Sequence, residues 1–285
     1  MSSWNLGFIG AGVMAETMIA GLLEEGLLPA SRIMASNRRP ERAAALEATY
    51  GLRGTLDNAA VARGADVLVL SVKPQTLPVV LRELSGQIPP GTLVLSIVAG
   101  ARASVLCRAL RHDRVVRCMP NLPCRIRRGM TVWHSPPDTP EADIARVRLI
   151  LGVMGGELRV HEEGHVDRAT AVNGTGPAIV AEFVRAMMEA ATYIGEPRQV
   201  ARETVLATLL GTAELIRRSD SHVAELIDEV TSPGGTTSRA LQVLKQGRFG
   251  AVVTDAVDAA YLRTISLGEA LESRLADVDS EGSGK

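Results

Sequence analysis

Apolar residues follow two regimes along this chain. Up to His161, short apolar runs alternate with stretches of helical spacing; beyond Asp167 the strand-like runs vanish. Leu6-Gly7-Phe8-Ile9 reads as a first strand, followed by a helix to about Glu25 that Gly26 and Pro29 stop. Residues 32–36 form a second strand and Pro40 opens a helix; Asp57 caps a short helix that begins at Asn58. Residues 66–72, 93–98 and 114–119 are nearly continuous apolar runs, as strands covered on both faces of a parallel sheet should be. A last pair, 130–134 and 157–161, flanks a helix near 141–151. The strands leave into Lys73-Pro74-Gln75, Ala99-Gly100 and Pro120-Asn121, and in doubly wound sheets such exits ring one ligand crevice.

The second half reads as helices over 178–188, 199–217, 221–230 and 250–271, with few polar positions. A helix that is apolar on most sides needs burial on most sides. Two arrangements satisfy that: a self-contained bundle, or a second copy of the same segment, and we expect the homodimer. The expected organisation is an α/β Rossmann-type dinucleotide-binding domain over 1–163, an all-α dimerisation and substrate domain over 164–275, and a polar, flexible tail over 276–285.

Composition narrows the partners. The 285 residues carry 31 basic and 32 acidic side chains, so no nucleic-acid or membrane-surface partner is indicated. Aromatics are only 3%, too few for base-stacking platforms. Apolar runs fall short of the roughly 20 residues that cross a bilayer, and Met1-Ser2-Ser3-Trp4-Asn5 lacks the regions of a signal peptide. Cys107, Cys118 and Cys124 are an odd number without metal-site spacing, which points to reduced thiols in the cytoplasm. His161-Glu162-Glu163-Gly164-His165 matches a zinc-hydrolase pattern, but that pattern needs a helix, and here a strand precedes it and Gly164 interrupts it. We expect no metal.

Gly10-Ala11-Gly12-Val13-Met14-Ala15 is G-x-G-x-x-A between strand and helix. The first glycine makes the turn, the second admits a pyrophosphate, and the small third residue allows close helix–strand packing. A glycine turn without ligand is the plainer alternative. The second strand ends in Ser36-Asn37-Arg38-Arg39, where an NAD-preferring site would place a carboxylate. Hydroxyl, amide and guanidinium suit a 2′-phosphate, so we expect NADPH, with NADH weaker; the competing reading of the arginines is a solvated loop.

Two glycine turns precede helices in the second half. One is Asn173-Gly174-Thr175-Gly176-Pro177; the other is Thr231-Ser232-Pro233-Gly234-Gly235-Thr236-Thr237-Ser238-Arg239. Unpaired N–H groups at such a helix start attract a small carboxylate. An ordinary Ser-Pro-Gly turn with a capping Thr, and a linker at 173–177, are the alternatives.

These motifs occur in order with Met119-Pro120-Asn121 and Ser96-Ile97-Val98-Ala99-Gly100, and together the chain resembles pyrroline-5-carboxylate reductase along nearly its whole length. The resemblance implies reduction of the cyclic imine Δ1-pyrroline-5-carboxylate to L-proline by NAD(P)H, the last step of proline synthesis, by interlocked homodimers often assembled into decamers. It implies that Ser36, Asn58, Val72, Lys73 and Ala99 line the nucleotide site. With them go Gly10, Gly12, Val13 and Met14 of the glycine turn, and the neighbouring Asn37, Arg38 and Pro74. It assigns Val230, Gly234, Gly235, Thr236 and Thr237 to the substrate, with Thr175 supplying a further hydroxyl, and puts the Thr237 hydroxyl beside the imine nitrogen. Asn173 and Ile179 stand where the family usually has Ser and Tyr, so a related cyclic imine is an alternative substrate. The implied chemistry adds hydride to the C=N carbon and a proton to nitrogen, with the substrate entering as iminium or Thr237 relaying a proton from water. A non-catalytic NADPH-binding regulator is a second alternative. A β-hydroxyacid dehydrogenase is a third, but it wants a helical-domain lysine, and only Lys245 precedes the tail there.

Overall fold

Strands β1 (Leu6–Ile9), β2 (Ile33–Ser36), β3 (Arg53–Thr55), β4 (Val67–Leu70), β5 (Leu93–Ser96), β6 (Val115–Met119), β7 (Gly129–His134) and β8 (Gly155–Val160) build one sheet in the order β3-β2-β1-β4-β5-β6-β7-β8. The first six pair in parallel. β7 runs antiparallel to β6, because the short connection from Met119 to Gly129 cannot hold the crossover a parallel pair needs. The computed structural model describes residues 4–282, with side chains described up to residue 275.

Strand periodicity sorts the core onto two faces. Phe8, Val67, Val69, Leu93 and Leu95 point to one side, where α1 (Val13–Glu24) and α6 (Glu141–Gly152) cover them. Ile9, Leu68, Leu70 and Val94 point to the other, under α3 (Asn58–Gly64), α4 (Leu77–Leu84) and α5 (Ala103–Leu110). In α1 the buried Ala15, Met18, Ile19 and Leu22 recur at the spacing of one helix face. Each fully buried aliphatic side chain contributes roughly 1.5–3 kcal/mol, so both faces of the central strands act as core. α2 (Pro40–Tyr50) packs on β3, and α7 (Gly164–Ala169) continues into a π turn, Thr170–Gly174.

The chain divides into two compact units. One comprises the sheet and its helices to Thr175, joined again by the chain from Ala260 onward; the other is Gly176–Ala259. The second unit holds α8 (Gly176–Tyr193), α9 (Arg198–Arg218), α10 (Val223–Glu229), α11 (Thr236–Gln246) and the start of α12 (Phe249–Gly282). α8 lies against α9, and Phe183 meets Phe249 with ring centroids 6.1 Å apart. Among the described residues of this unit only Ala201 and Val205 are buried. Tyr193, Leu210 and Val243 are 90%, 68% and 66% exposed. α12 continues to Gly282, through part of the stretch expected as a flexible tail; residues 283–285 of that stretch lie outside the described residues.

Candidate functional site

The parallel register sets Ile9 beside both Ser36 and Leu70, and Leu70 beside Ser96. The carboxyl ends of β2, β1, β4 and β5 therefore form one row, and most candidate nucleotide residues leave from it. Gly10, straight after β1, has φ +87, and a Cβ there would lie 2.6 Å from Val72 Cγ1 and 3.0 Å from the Ser71 carbonyl oxygen. Only glycine fits both the dihedral and the space. Gly10 and Ala11 each donate their N–H to the Ser36 carbonyl at 3.1 Å, which ties the turn to β2.

α1 starts at Val13 behind Gly12, without a side-chain cap. The N–H groups of its first turn, those of Val13 and Met14 among them, have no intrahelical partner and carry the positive end of the helix dipole. A Cβ on Gly12 would meet nothing within 4 Å, so the backbone is open to a ligand at that point. An anion is the ligand this geometry favours.

At the end of β2, buried Ser36 donates to Asn58 Oδ1 at 2.6 Å, and Asn37 donates to the Ala11 carbonyl at 3.4 Å. Arg38 is exposed and makes no ion pair among the described residues. Arg42 belongs to this end of the sheet as well, although no motif in the sequence marks it. Its Nε donates to the Ala11 carbonyl at 3.1 Å, and its guanidinium pairs with Glu16 at 2.5 Å, so it braces the glycine turn from α2. Tyr50 donates to Glu16 at 3.2 Å, and burial, then the Glu16 charge, raise its pKa. No sequence spacing connects Glu16, Arg42 and Tyr50; only the fold does.

Val72, Lys73 and Pro74 form the turn from β4 into α4, which closes where Thr76 donates to the Lys73 carbonyl at 2.9 Å. Ser71 donates to the carbonyls of Ile9, at 3.3 Å, and Gly10. Ala99 lies half-buried in the turn from β5 to α5.

Thr175 ends the first unit, one residue past the π turn; its N–H and its hydroxyl both donate to the Thr170 carbonyl, at 3.0 and 3.2 Å. Asn173 fixes that turn. It accepts from Asn121 Nδ2 at 2.8 Å and donates to the carbonyls of Met119 and Met130 at 3.2 and 2.9 Å. Single-turn π segments inside helices are frequent at functional sites, and this one has no signature in composition.

The other substrate candidates belong to the second unit. Gly234 has φ +72, the Gly235 N–H closes a turn on the Ser232 carbonyl at 3.0 Å, and α11 begins at Thr236 without a side-chain cap. Val230 is exposed and follows α10. The plainer alternative of a turn with a capping Thr is not met, since α11 starts without a side-chain cap and Thr231 donates back to the Ile227 carbonyl at 2.6 Å. Among the described residues the hydroxyls of Thr236 and Thr237 make no hydrogen bond. Backbone donors of the first α11 turn and two free hydroxyls thus sit together, which suits a small carboxylate. The structure brings Gly234, Gly235, Thr236 and Thr237 together, with Thr175 in the other unit.

His161 follows β8, and His165 lies in α7, so the zinc-like pattern spans a loop. Glu163 instead accepts from Arg117 at 2.8 Å and from the Ala103 N–H at 2.7 Å.

Sheet, glycine turn and helical segment define an NAD(P)H-dependent oxidoreductase with a Rossmann-type domain and a helical dimerisation domain. Residues 5–100 match the family model for NADP oxidoreductase, coenzyme F420-dependent, and residues 163–267 match that for pyrroline-5-carboxylate reductase dimerisation. The chain is 37% identical over 267 residues to a pyrroline-5-carboxylate reductase of Synechocystis, spanning 94% of this chain and 99% of that one. Identity to the Pseudomonas aeruginosa reductase is 36% over 272 residues, 95% of this chain and 99% of the relative. The structure of Plasmodium falciparum pyrroline carboxylate reductase with NADP bound aligns at TM-score 0.85 and 27% identity, covering 94% of this chain and 99% of that one. The chain belongs to the pyrroline-5-carboxylate reductase family. The uncapped α1 start, the open backbone at Gly12 and the carboxylate-free end of β2 fit NADP(H).

Proposed function

We propose that this chain reduces Δ1-pyrroline-5-carboxylate to L-proline with NADPH. The uncapped Gly234-Gly235-Thr236-Thr237 turn carries the reading, because it offers backbone donors and a free hydroxyl to a small cyclic imino acid. Bound nicotinamide supplies hydride to the imine carbon. The chain's own part is to hold and to protonate. The N–H groups of Thr236 and Thr237 take the carboxylate, with Val230, Gly234 and Gly235 shaping the pocket and Thr175 adding a hydroxyl. Thr237 passes a proton from water to the imine nitrogen as the C=N bond becomes C–N. Positioning within about 3–3.5 Å contributes most of the rate.

Gly10, Gly12, Val13 and Met14 hold the pyrophosphate in this reading; Ser36, Asn37, Arg38 and Asn58 take the adenosine ribose and its phosphate, and Val72, Lys73, Pro74 and Ala99 line the rest. Residues 1–163 serve the nucleotide, and 164–275 serve dimerisation and the substrate. The chain works as a homodimer that stacks into a decamer, which molar mass in solution checks. Three free thiols support a cytoplasmic setting, and among the described residues no helix is long and apolar enough to cross a membrane.

NADPH oxidation with pyrroline-5-carboxylate, piperideine carboxylate and hydroxylated analogues tests the reading. The highest kcat/KM belongs to pyrroline-5-carboxylate. A preference for the six-membered ring points to a related imine, and NADPH binding without turnover points to a regulator.

A further inference from the structure

Glu163 takes part in none of the roles assigned above, yet it is bonded on two sides. Its Oε1 accepts from Arg117 at 2.8 Å and from the backbone N–H of Ala103 at 2.7 Å. Arg117 has 3% of its side chain exposed, and its other terminal nitrogen pairs with Asp167 at 2.8 Å. Such a buried guanidinium needs its partners, and so the Glu163 carboxylate is held in place.

Ala103 is the first residue of α5, and Arg102 before it provides no side-chain cap. The Glu163 carboxylate supplies that cap from the far end of the sheet's sequence, at the helix end where the dipole favours an anion. The turn it fixes runs from Ser96 to Ala103 and contains Ala99. At its start, Ser96 pairs with Arg117 across the β5–β6 ladder, so the arginine that holds Glu163 also stands beside the strand feeding the turn. From a third direction the turn meets α12, where a Cβ on Gly268 would lie 2.9 Å from the Gly100 carbonyl oxygen. The turn is therefore held from three sides, by Glu163 at Ala103, by the β5–β6 ladder at Ser96 and by α12 at Gly100.

We propose that Glu163 is a positioning residue for NADPH, setting the β5–α5 turn through the Ala103 N–H. The proposal rests on the functional reading above, in which Ala99 lines the nucleotide site. It gives the acidic centre of His161-Glu162-Glu163-Gly164-His165 a task other than metal chemistry.

Titrating the unliganded full chain with NADPH, followed by nicotinamide fluorescence, tests it. Glu163→Ala should weaken NADPH binding about fivefold, the fold-change that loss of one helix cap corresponds to. Glu163→Gln keeps an oxygen for the Ala103 N–H and should recover most of the affinity. At saturating NADPH, Glu163→Ala should keep its kcat and its KM for the imine. Glu162→Ala, altering the exposed neighbour, is the control and should bind as the native chain does. Ala103→Pro removes the donor itself at a first helical position that accepts proline. It leaves Arg117, Glu163 and Asp167 intact, should weaken NADPH similarly, and serves where Glu163→Ala does not fold. Native NADPH affinity in folded Glu163→Ala or in Ala103→Pro overturns the proposal, as does an equal loss in the Ala and Gln variants. A native chain that binds no NADPH sinks the functional reading before any variant is compared.

Discussion

Ser36, at the end of β2, donates its hydroxyl proton to Asn58 Oδ1 at 2.6 Å, and Asn58 in turn donates to Glu83 at 2.7 Å. The neutral Ser36–Asn58 bond thus ties β2 to α3 at the strand end where an NAD-preferring site would carry an acid, while the Glu83 carboxylate holds Asn58 from α4. Arg38 is exposed two residues further on.

Arg38→Ala should narrow the NADPH-over-NADH preference in kcat/KM by roughly tenfold, because one exposed charge-assisted contact is worth about 1.5 kcal/mol. The KM for NADPH should carry the change and the KM for NADH should stay put. A preference ratio that does not move removes Arg38 from the cofactor site.

Asn173 satisfies two carbonyls and one amide at once, through Met119, Met130 and Asn121. Asn173→Asp has the same shape, loses both donors and adds a charge against carbonyl oxygens. It should lower the unfolding free energy by about 1–3 kcal/mol in urea titration, as should Asn173→Ala. Native stability in both would show that the π turn holds without this clamp.

The alternation of apolar runs and helical stretches was enough to place most of the sheet, because strands covered on both faces show as unbroken apolar runs. It also located the glycine turns at Gly10 and Gly234, since positive φ there demands a residue type that composition reveals. What stayed hidden depends on distance along the chain. Arg42 reaches the Ala11 carbonyl across 31 positions and Glu163 reaches Ala103 across 60, and neither separation leaves a periodic trace. The short β3 and the π turn are likewise set by tertiary context. Thr231 was legible as a turn residue but not as a donor to Ile227, since a threonine at a helix end has both options.

Burial pushes the Cys118 thiol well above its ordinary value of 9.0, and raises Cys107 and Cys124 for the same leading reason. In the unfolded chain these thiols ionise first as pH rises. Their contribution to stability is therefore complete below pH 9.0 and is lost above it as the pH rises towards the folded value. Cys118→Ala should flatten the fall of unfolding free energy above that pH by about 1.4 kcal/mol per pH unit, one proton's worth. Equal slopes in the two proteins would mean that Cys118 ionises as readily folded as unfolded.

Leu210 is exposed on α9 within the segment that matches the family's dimerisation model. Leu210→Glu puts a charge where an apolar interface is expected, and a central interface residue costs about 2 kcal/mol or more. Sedimentation across a dilution series should show the dimer dissociating roughly 30-fold more readily. Unchanged dissociation would place Leu210 outside the interface.

Thr237 is the second residue of α11, and its hydroxyl is unbonded among the described residues while the helix start beside it lacks a cap. Two roles for that hydroxyl differ in size. As a binding contact alone it is worth about 1 kcal/mol, near fivefold, and its loss should appear in KM for the imine. As a proton relay it is worth roughly 10²–10⁴-fold and its loss should appear in kcat. We expect Thr237→Ala to fall in the larger range with NADPH affinity unchanged, because no histidine or carboxylate lies in this turn to protonate the nitrogen. Thr237→Ser keeps the oxygen and should restore most of the rate. Raising the pH should also hurt Thr237→Ala more than the native chain, since without the relay turnover depends on the fraction of imine already protonated. If the alanine variant loses only a few-fold and its pH profile parallels the native one, the proton reaches nitrogen by another route and the turn serves binding alone.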